Sequence, residues 1–237
     1  MDSVKQHQEM GYDRTVGMFS PDGLLLQVEY AEKAVQLGAS VLAITTKEGV
    51  VFIGDRRIKS KLLVKKSFKK IFEVDNHIAI AGAGVMSDGR RLIEQARVIA
   101  QDHKVKFQNP IDILSLVKDI ANIQQYYSQA GGLRPFGVSL LIAGIEDNKP
   151  ILYKTTPSGI YMRFLATCVG NVSNKINEDL EKEYTENMSN KEAIKFGLKL
   201  FKKALEDEFN IERFDVASLN LSEEIQRYGV SELKKLL

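Results

Sequence analysis

The sequence has little of several features on which whole classes of protein depend. A single cysteine, Cys168, excludes an internal disulfide and a paired-cysteine metal site, and its apolar surroundings predict a buried, inert thiol. No apolar stretch approaches the roughly 20 residues that span a bilayer, so no membrane segment is expected. The formal net charge is only +2, too small to attract nucleic acid. Residues 1–10 lack the apolar core of a signal peptide, which predicts a cytoplasmic protein.

Residues for metal or cofactor binding are also sparse. The three histidines, His7, His77 and His103, are far apart and show no ligand spacing with acidic residues, so no metal site is expected. Each is interpreted as a tail, turn or surface residue. Residues 82–87 read Gly-x-Gly-x-x-Ser, which lacks the third glycine of a dinucleotide-binding turn. A close-packed strand-to-helix turn is the better interpretation, and no cofactor is expected.

What is present is an ordinary globular composition, 44% apolar and 27% charged over 237 residues, arranged in alternating blocks. Short apolar runs around polar turns predict two hairpins, over 40–53 and 70–81. Two helices, three further strands over 137–144, 151–153 and 159–162, two more helices, two closing strands and a short C-terminal helix follow. Asn109–Pro110 is the expected start of the second helix, and Ser189–Glu192 is a capping box.

This order of elements predicts an α+β protein in which two antiparallel sheets stack between two layers of helices. Consecutive strands pair as antiparallel sheets, and each pair of helices must cover one sheet face. The expected architecture is therefore a four-layer αββα sandwich.

An amphipathic helix is expected ahead of this body. Ser20 or Asp22 is a candidate for its N-cap and Gly38 for its end. Apolar residues recur at spacings of four, three and four, which places them on one helical face. They are Leu24, Val28, Ala31 and Val35.

Several short sequence motifs resemble those of proteasome α subunits of the archaeal type. They are Tyr12-Asp13-Arg14, the block 19–35, Asp55-Arg56-Arg57 and the block 131–141. The resemblance covers nearly the whole chain. It implies the αββα fold of the N-terminal-nucleophile hydrolases, with residues 1–11 as a flexible gate tail and 12–237 as a single domain. Seven such subunits form each outer ring of a barrel that encloses two rings of catalytic β subunits.

The same resemblance implies that this chain is not itself a peptidase. An enzyme of this fold uses a Thr, Ser or Cys at a free N-terminus, whose amine serves as the base. Here that position falls on Ala39, and the peptide bond from Gly38 blocks the amine. Asp55 and Lys70 fall where catalytic subunits keep their acid and lysine. The alternative is an active amidase that is processed to begin at Ser40.

Three groups of residues carry the functions that the resemblance implies. A gate cluster holds the tail in its open state. An activator-tail pocket between neighbouring α subunits receives the C-terminal tail of an ATPase activator, with Lys69 as an alternative to its lysine. The face of the N-terminal helix forms the ring interface. The gate residues are Tyr12, Asp13, Arg14, Pro21 and Tyr30, the pocket residues Lys70, Gly38 and Val85, and the interface residues Leu24, Val28, Ala31 and Val35.

The expected partners are other α subunits, β subunits, an ATP-driven unfoldase and unfolded polypeptide in transit. Two details of the sequence bear on that passage. Leu24 stands where α subunits usually carry arginine, and the expected axial loop near Val64, Lys65, Lys66 and Ser67 is basic. A free-standing binding module is a third interpretation of the chain, beside the processed amidase and the ring subunit.

Overall fold

The computed structural model describes residues 11, 17–58, 62–64 and 67–237. Their elements are α1 Leu26–Leu37, β1 Val41–Thr46, β2 Gly49–Asp55, β3 Ile71–Asp75, β4 Ile78–Gly84, α2 Met86–Phe107, α3 Ile113–Gln129, β5 Val138–Glu146, β6 Lys149–Thr155, β7 Tyr161–Arg163, β8 Ala166–Val169, α4 Ser173–Glu183, α5 Asn190–Leu205, β9 Phe214–Asn220, β10 Ile225–Arg227 and α6 Val230–Leu236. Two 3₁₀ turns, Glu206–Glu208 and Ile211–Arg213, precede β9. Both predicted hairpins are confirmed, as β1–β2 and β3–β4.

The strands form two five-stranded antiparallel sheets. One sheet has the order β10-β9-β2-β1-β8 and the other β3-β4-β5-β6-β7. In the first sheet Val41 pairs with Gly54, and the hairpin closes at Thr46 and Gly49. In the second sheet β4 and β5 are antiparallel although two helices separate them in sequence. The strand β8 was not predicted, because its short run around Cys168 carries no turn signal of its own.

Three apolar layers hold the molecule together and confirm the αββα sandwich. Alternate residues of β1 point to opposite faces of the sheet. Val41 and Ala43 therefore join a core shared by the two sheets, whereas Leu42 and Ile44 pack in the layer formed with α4 and α5. The second sheet packs its outer face on α2 and α3, through residues such as Leu92 and Ile120. Because every residue of β1 and β2 is buried, the two central strands read as continuous apolar runs.

The N-terminal helix begins later than the spacing of apolar residues predicts. Leu25 is its N-cap, with no side-chain hydrogen bond, and Leu24 lies outside the helix. Ser20 instead organises the preceding turn, since its Oγ accepts a hydrogen bond from the Leu24 amide at 3.2 Å. The prediction that Ser20 or Asp22 caps the helix is therefore wrong. The predicted end is confirmed, because Gly38 is the C-cap and donates to the Val35 carbonyl.

Two other helix starts were predicted, one wrongly and one correctly. Asp112, and not Asn109, caps α3, since its carboxylate accepts from the Ser115 amide at 2.8 Å. A carboxylate close to the positive end of the helix dipole favours this later start. The capping box at the start of α5 is confirmed, with reciprocal hydrogen bonds between Ser189 and Glu192. Among the helices of the described residues, none is long and apolar enough to cross a membrane.

Candidate functional site

The end of the sandwich where α1 meets β4 brings three glycines into close contact. A Cβ on Gly38 would overlap the backbone of Gly84, and one on Gly84 would overlap the carbonyl of Gly137. Gly84 also has φ +118°, which side chains rarely tolerate. Val85 continues from this crossing and donates its amide to the Gly137 carbonyl at 2.8 Å. The expectation of a close-packed strand-to-helix turn at residues 82–87 is confirmed.

Lys70 reaches into this crossing from the start of β3. Its ammonium donates to the carbonyls of Ala39 at 3.1 Å and Gly82 at 3.2 Å, and contacts the Met86 sulfur at 3.7 Å. Lys70 is only 1% exposed, so it is not a solvated surface lysine. Burial lowers the pKa of Lys70 to about 8, against the opposing attraction of the Asp55 carboxylate.

Asp55, at the end of β2, is committed to a structural ion pair. Both of its oxygens accept from the Arg213 guanidinium, each at 2.7 Å, and Oδ1 also accepts from the Arg57 amide at 2.9 Å. Arg57 itself has φ +45°, an uncommon conformation for a residue with a side chain. Its guanidinium donates to the Leu37 carbonyl at 3.3 Å. The acid therefore ties β2 to the turn before β9, and Arg57 joins that point to the end of α1.

Sequence reasoning missed the two residues of β9 and its preceding turn that complete this frame. Besides Arg213, the Asp215 carboxylate accepts from the backbone amides of Lys70 at 2.8 Å and Ile71 at 3.3 Å. Asp215 also lies 3.5 Å from the Arg227 guanidinium. The signal that the sequence offered was a pair of opposite charges, Arg213 and Asp215, on either side of Phe214, the first residue of β9. Their pairing with residues more than 140 positions away could not be read from spacing.

Ser40, the alternative nucleophile, is buried and already hydrogen-bonded on both sides. Its hydroxyl donates to the Asn171 side-chain carbonyl at 2.9 Å and accepts from the Val172 amide at 3.0 Å. The Lys70 ammonium binds the backbone carbonyl of Ala39, and within the described part of the chain it makes no hydrogen bond to the Ser40 hydroxyl. Ala39 offers only a methyl group. Internal contacts thus hold both the Lys70 ammonium and the Asp55 carboxylate in place.

An open cleft of about 560 Å³ lies beside this frame. Its lining residues are Arg57, Ile58, Asn171, Glu208, Asn210 and Arg213. The Arg213 guanidinium points at Asp55 and also donates to the Glu208 carbonyl at 2.6 Å, so the cleft wall is held by internal contacts.

Comparison with known proteins decides the family. A profile described as Proteasome subunit matches residues 35–219, and a second profile, for the N-terminal signature of the A-type proteasome subunits, matches residues 12–34. A proteasome alpha subunit from Archaeoglobus fulgidus is 43% identical over 91% of this chain and 87% of its own length. The chain belongs to the proteasome α-subunit family.

Further relatives in this family cover nearly the same span. A proteasome alpha subunit from Methanocaldococcus jannaschii is 42% identical over 95% of this chain and 87% of its own length. One from Picrophilus torridus is 38% identical over 98% of this chain and 99% of its own length. The resemblance read from the sequence is confirmed.

For this proteasome α-family chain, the three residues of the predicted activator pocket lie around one crossing. Gly38 precedes Ala39, whose carbonyl holds the Lys70 ammonium, and Val85 follows the Gly84 backbone on which Gly38 packs. Val85 is 37% exposed, whereas Lys70 faces inward. Lys69, the alternative lysine, is exposed. The pocket residues are together, but the two lysines point to different environments.

The predicted gate cluster is only partly within the described structure. Tyr12, Asp13 and Arg14 lie outside the described residues. Pro21 is exposed in the turn that Ser20 organises. Tyr30 is half-buried on α1, with the Lys33 ammonium 5.7 Å from its ring centre. Lys65 and Lys66 of the expected axial loop also lie outside the described residues, while Leu62 and Val64 beside them are exposed.

The predicted ring-interface stripe does not form one continuous exposed face. Leu24 precedes the helix and Val28 is half-buried. Ala31 and Val35 are buried within this chain, on the helix that contacts β4 and β5. Burial in the chain's own core leaves them little surface to offer to a neighbour.

Cys168, His77 and His103 lie within the described residues. Burial raises the pKa of the Cys168 thiol far above its usual range, which confirms a buried, inert cysteine. His77 lies in the β3–β4 turn, one of the expected positions, and is buried there; its Nε2 is 2.9 Å from the Ile111 carbonyl. His103 is half-buried near the end of α2, and His7 lies outside the described residues. Within the described ranges, no group of three His, Cys, Asp or Glu residues is placed to hold a metal ion.

Proposed function

We propose that this chain is a non-catalytic subunit of the outer α ring of a proteasome core, and that β subunits of the same barrel cut the substrate. The observation that carries the proposal is that the charged groups near Ala39, Lys70 and Asp55, already have hydrogen-bond partners within the chain. Lys70 is held by two backbone carbonyls and Asp55 by Arg213, so neither group is free to activate a nucleophile. Ala39 supplies none.

The competing amidase function finds no support in the same geometry. Processing before Ser40 would have to free a buried residue whose hydroxyl is already shared with Asn171 and Val172. Intact-mass measurement of the purified chain separates the two functions, because an amidase would begin at Ser40. We expect a chain that retains Gly38 and Ala39.

Ring assembly is the first test of the structural role. Native mass spectrometry of the purified chain should show a seven-membered ring, alone or with β subunits. In this proposal the contact between neighbouring subunits includes Leu24 and Val28, which are half-buried in the single chain. Ala31 and Val35 add the small surface that they still expose. A chain that stays monomeric at micromolar concentration would instead support a free-standing binding module.

The N-terminal segment is proposed to gate the axial pore of that ring. Residues 1–11 are the tail and 12–237 the body, and the cluster of Tyr12, Asp13, Arg14, Pro21 and Tyr30 is proposed to hold the tail open. In this proposal a tyrosine hydroxyl pairs with a carboxylate over a proline turn and forms a two-state latch. Deleting residues 2–11 in the assembled barrel should speed hydrolysis of small peptides. An unchanged rate would remove the gate from the proposal.

Activator docking is proposed for the crossing of Gly38, Val85 and a lysine. A cation suits the terminal carboxylate of an ATPase activator's tail, and the exposed part of Val85 suits an apolar side chain behind it. Lys70 is buried in the single chain, whereas Lys69 is exposed. Substituting each lysine separately shows which of them binds the tail. Several weakly bound tails on one ring would reinforce one another.

The docking test uses a fluorescently labelled tail peptide and assembled rings. Lys70→Met removes the charge while keeping most of the side-chain volume, and Lys69→Ala removes the neighbouring charge. Loss of binding in one variant assigns the lysine. Full binding in both variants would show that neither lysine belongs to the docking site. The proposed ring works in the cytoplasm. Unfolded polypeptide that enters it would pass the basic loop near Val64 and Ser67.

A further inference from the structure

The two sides of the sandwich differ in chemistry. Arg227 of β10 donates to the Ile71 carbonyl of β3 at 3.0 Å, so these two edge strands lie on one side. On the opposite side, β7 and β8 are the other two edge strands, joined by only Phe164 and Leu165. Side chains already bind some backbone groups of these edges: Arg97 donates to the Glu73 carbonyl of β3, and the Asn177 amide exchanges two hydrogen bonds with the Cys168 backbone of β8. The chemistry of the exposed side chains therefore distinguishes the two sides.

The β3–β10 side carries an acidic cleft of about 590 Å³. Four carboxylates line it, from Glu73, Asp75, Glu223 and Glu224. Arg227 offsets part of this charge, since its guanidinium lies 3.5 Å from Glu73. Glu223 and Glu224 are exposed at the β9–β10 turn. This side therefore presents excess negative charge beside a sheet edge.

The β7–β8 side is apolar and basic. All three residues of β7 are exposed, and Ile160 before it is 57% exposed. Met162 and Leu165 are also exposed, which makes this an unusually apolar edge for a surface strand. Arg163 of the same strand is exposed and, with Lys154, lines an adjoining groove of about 410 Å³, in which the Glu181 carboxylate offsets part of the positive charge.

We propose that the β7–β8 edge of one copy of this chain docks against the β3–β10 edge of the next copy. Here Arg163 faces the carboxylates of Glu223 and Glu224, and the apolar edge around Met162 is covered. Charge complementarity selects a second copy as the occupant. Because the two surfaces differ and lie on opposite sides, the contact is head-to-tail, which closes into a ring when the rotation allows. The seam rests on the proposed ring and adds an interface to it beyond α1.

Charge reversal with rescue tests this seam. Arg163→Glu would place like charges across it, which is costly at an interface. We expect it to raise the concentration at which rings half-dissociate by at least about tenfold, and the pair Glu223→Arg with Glu224→Arg to do the same. Combining all three substitutions restores opposite charges and should recover most of the lost assembly. Lys195→Glu, an exposed reversal on α5, is the matched control and should leave assembly unchanged.

Crosslinking gives a second readout that does not depend on charge. A mixture of Met162→Cys and Gln226→Cys chains, treated with a short bifunctional maleimide, should yield covalent dimers, and neither variant alone should do so. The buried Cys168 will not react under native conditions. Rings that persist in both one-sided charge variants, or a combined variant no better than either, would overturn the seam while leaving the ring. A wild-type chain that never forms rings would overturn both.

Discussion

Replacing Asp55 by alanine tests whether the acid that the family resemblance links to catalysis works here for the fold. Asp55 is 1% exposed and its partner Arg213 is 12% exposed, with both guanidinium contacts at 2.7 Å. Removing one member of a buried pair leaves the other charge uncompensated, which typically costs 3–5 kcal/mol. Because Arg213 retains some contact with water, we expect a loss of about 3 kcal/mol.

That loss should appear as a drop in the thermal midpoint of roughly 6–12 °C, at about 2–4 °C per kcal/mol for a chain of this size. Protein concentration must be held fixed, since assembly raises the apparent stability. Glu94→Ala is the matched control. Its ion pair with Arg97 is equally short, at 2.6 Å, but the side chains are 59% and 38% exposed, so about 0–1 kcal/mol is expected. An Asp55→Ala chain as stable as the Glu94→Ala chain would refute the structural role.

Three further predictions concern the same framework and one helix cap. Gly38→Ala should cost roughly 3 kcal/mol or more because its Cβ overlaps Gly84, whereas Gly131→Ala, with open space around it, should be nearly neutral in the same melt. Lys70 has a pKa of about 8 in the folded chain and 10.5 in the unfolded chain, so between these two pH values the folded chain binds fewer protons than the unfolded chain. Stability should rise with pH there, by roughly 2 kcal/mol relative to Lys70→Met in denaturant titrations, and a falling difference would contradict the sign. Ser189→Ala removes the capping box of α5 and should cost about 1 kcal/mol by circular dichroism melts.

The layered fold was predictable from the sequence because its signals are local. The period of apolar residues separates strands from helices, and turns such as the one at Gly49 mark hairpins. The helix starts were less predictable, since Asp112 and Asn109 are both good caps and only the packed chain decides between them. The strand β8 pairs with β1 across more than 120 residues, and nothing local announces that partner.

The candidate site was predictable only through resemblance, and only in part. Asp55 and Lys70 were identified as a pair by analogy, yet their partners are residues that no spacing connects to them. Arg213 and Asp215 come from the other end of the chain, and they turn the two groups into structural ones. The inward direction of Lys70, in contrast with Lys69, depends on the backbone carbonyls that surround it.

The central claim is that this chain builds the ring and does not cut peptides. The most direct measurement uses the assembled barrel, treated with an electrophilic probe that modifies the N-terminal nucleophiles of this fold, followed by intact-mass analysis of each subunit. The account predicts the added mass on the β subunits and an unmodified mass for this chain. Stoichiometric labelling of this chain, above all at Ser40, would contradict it.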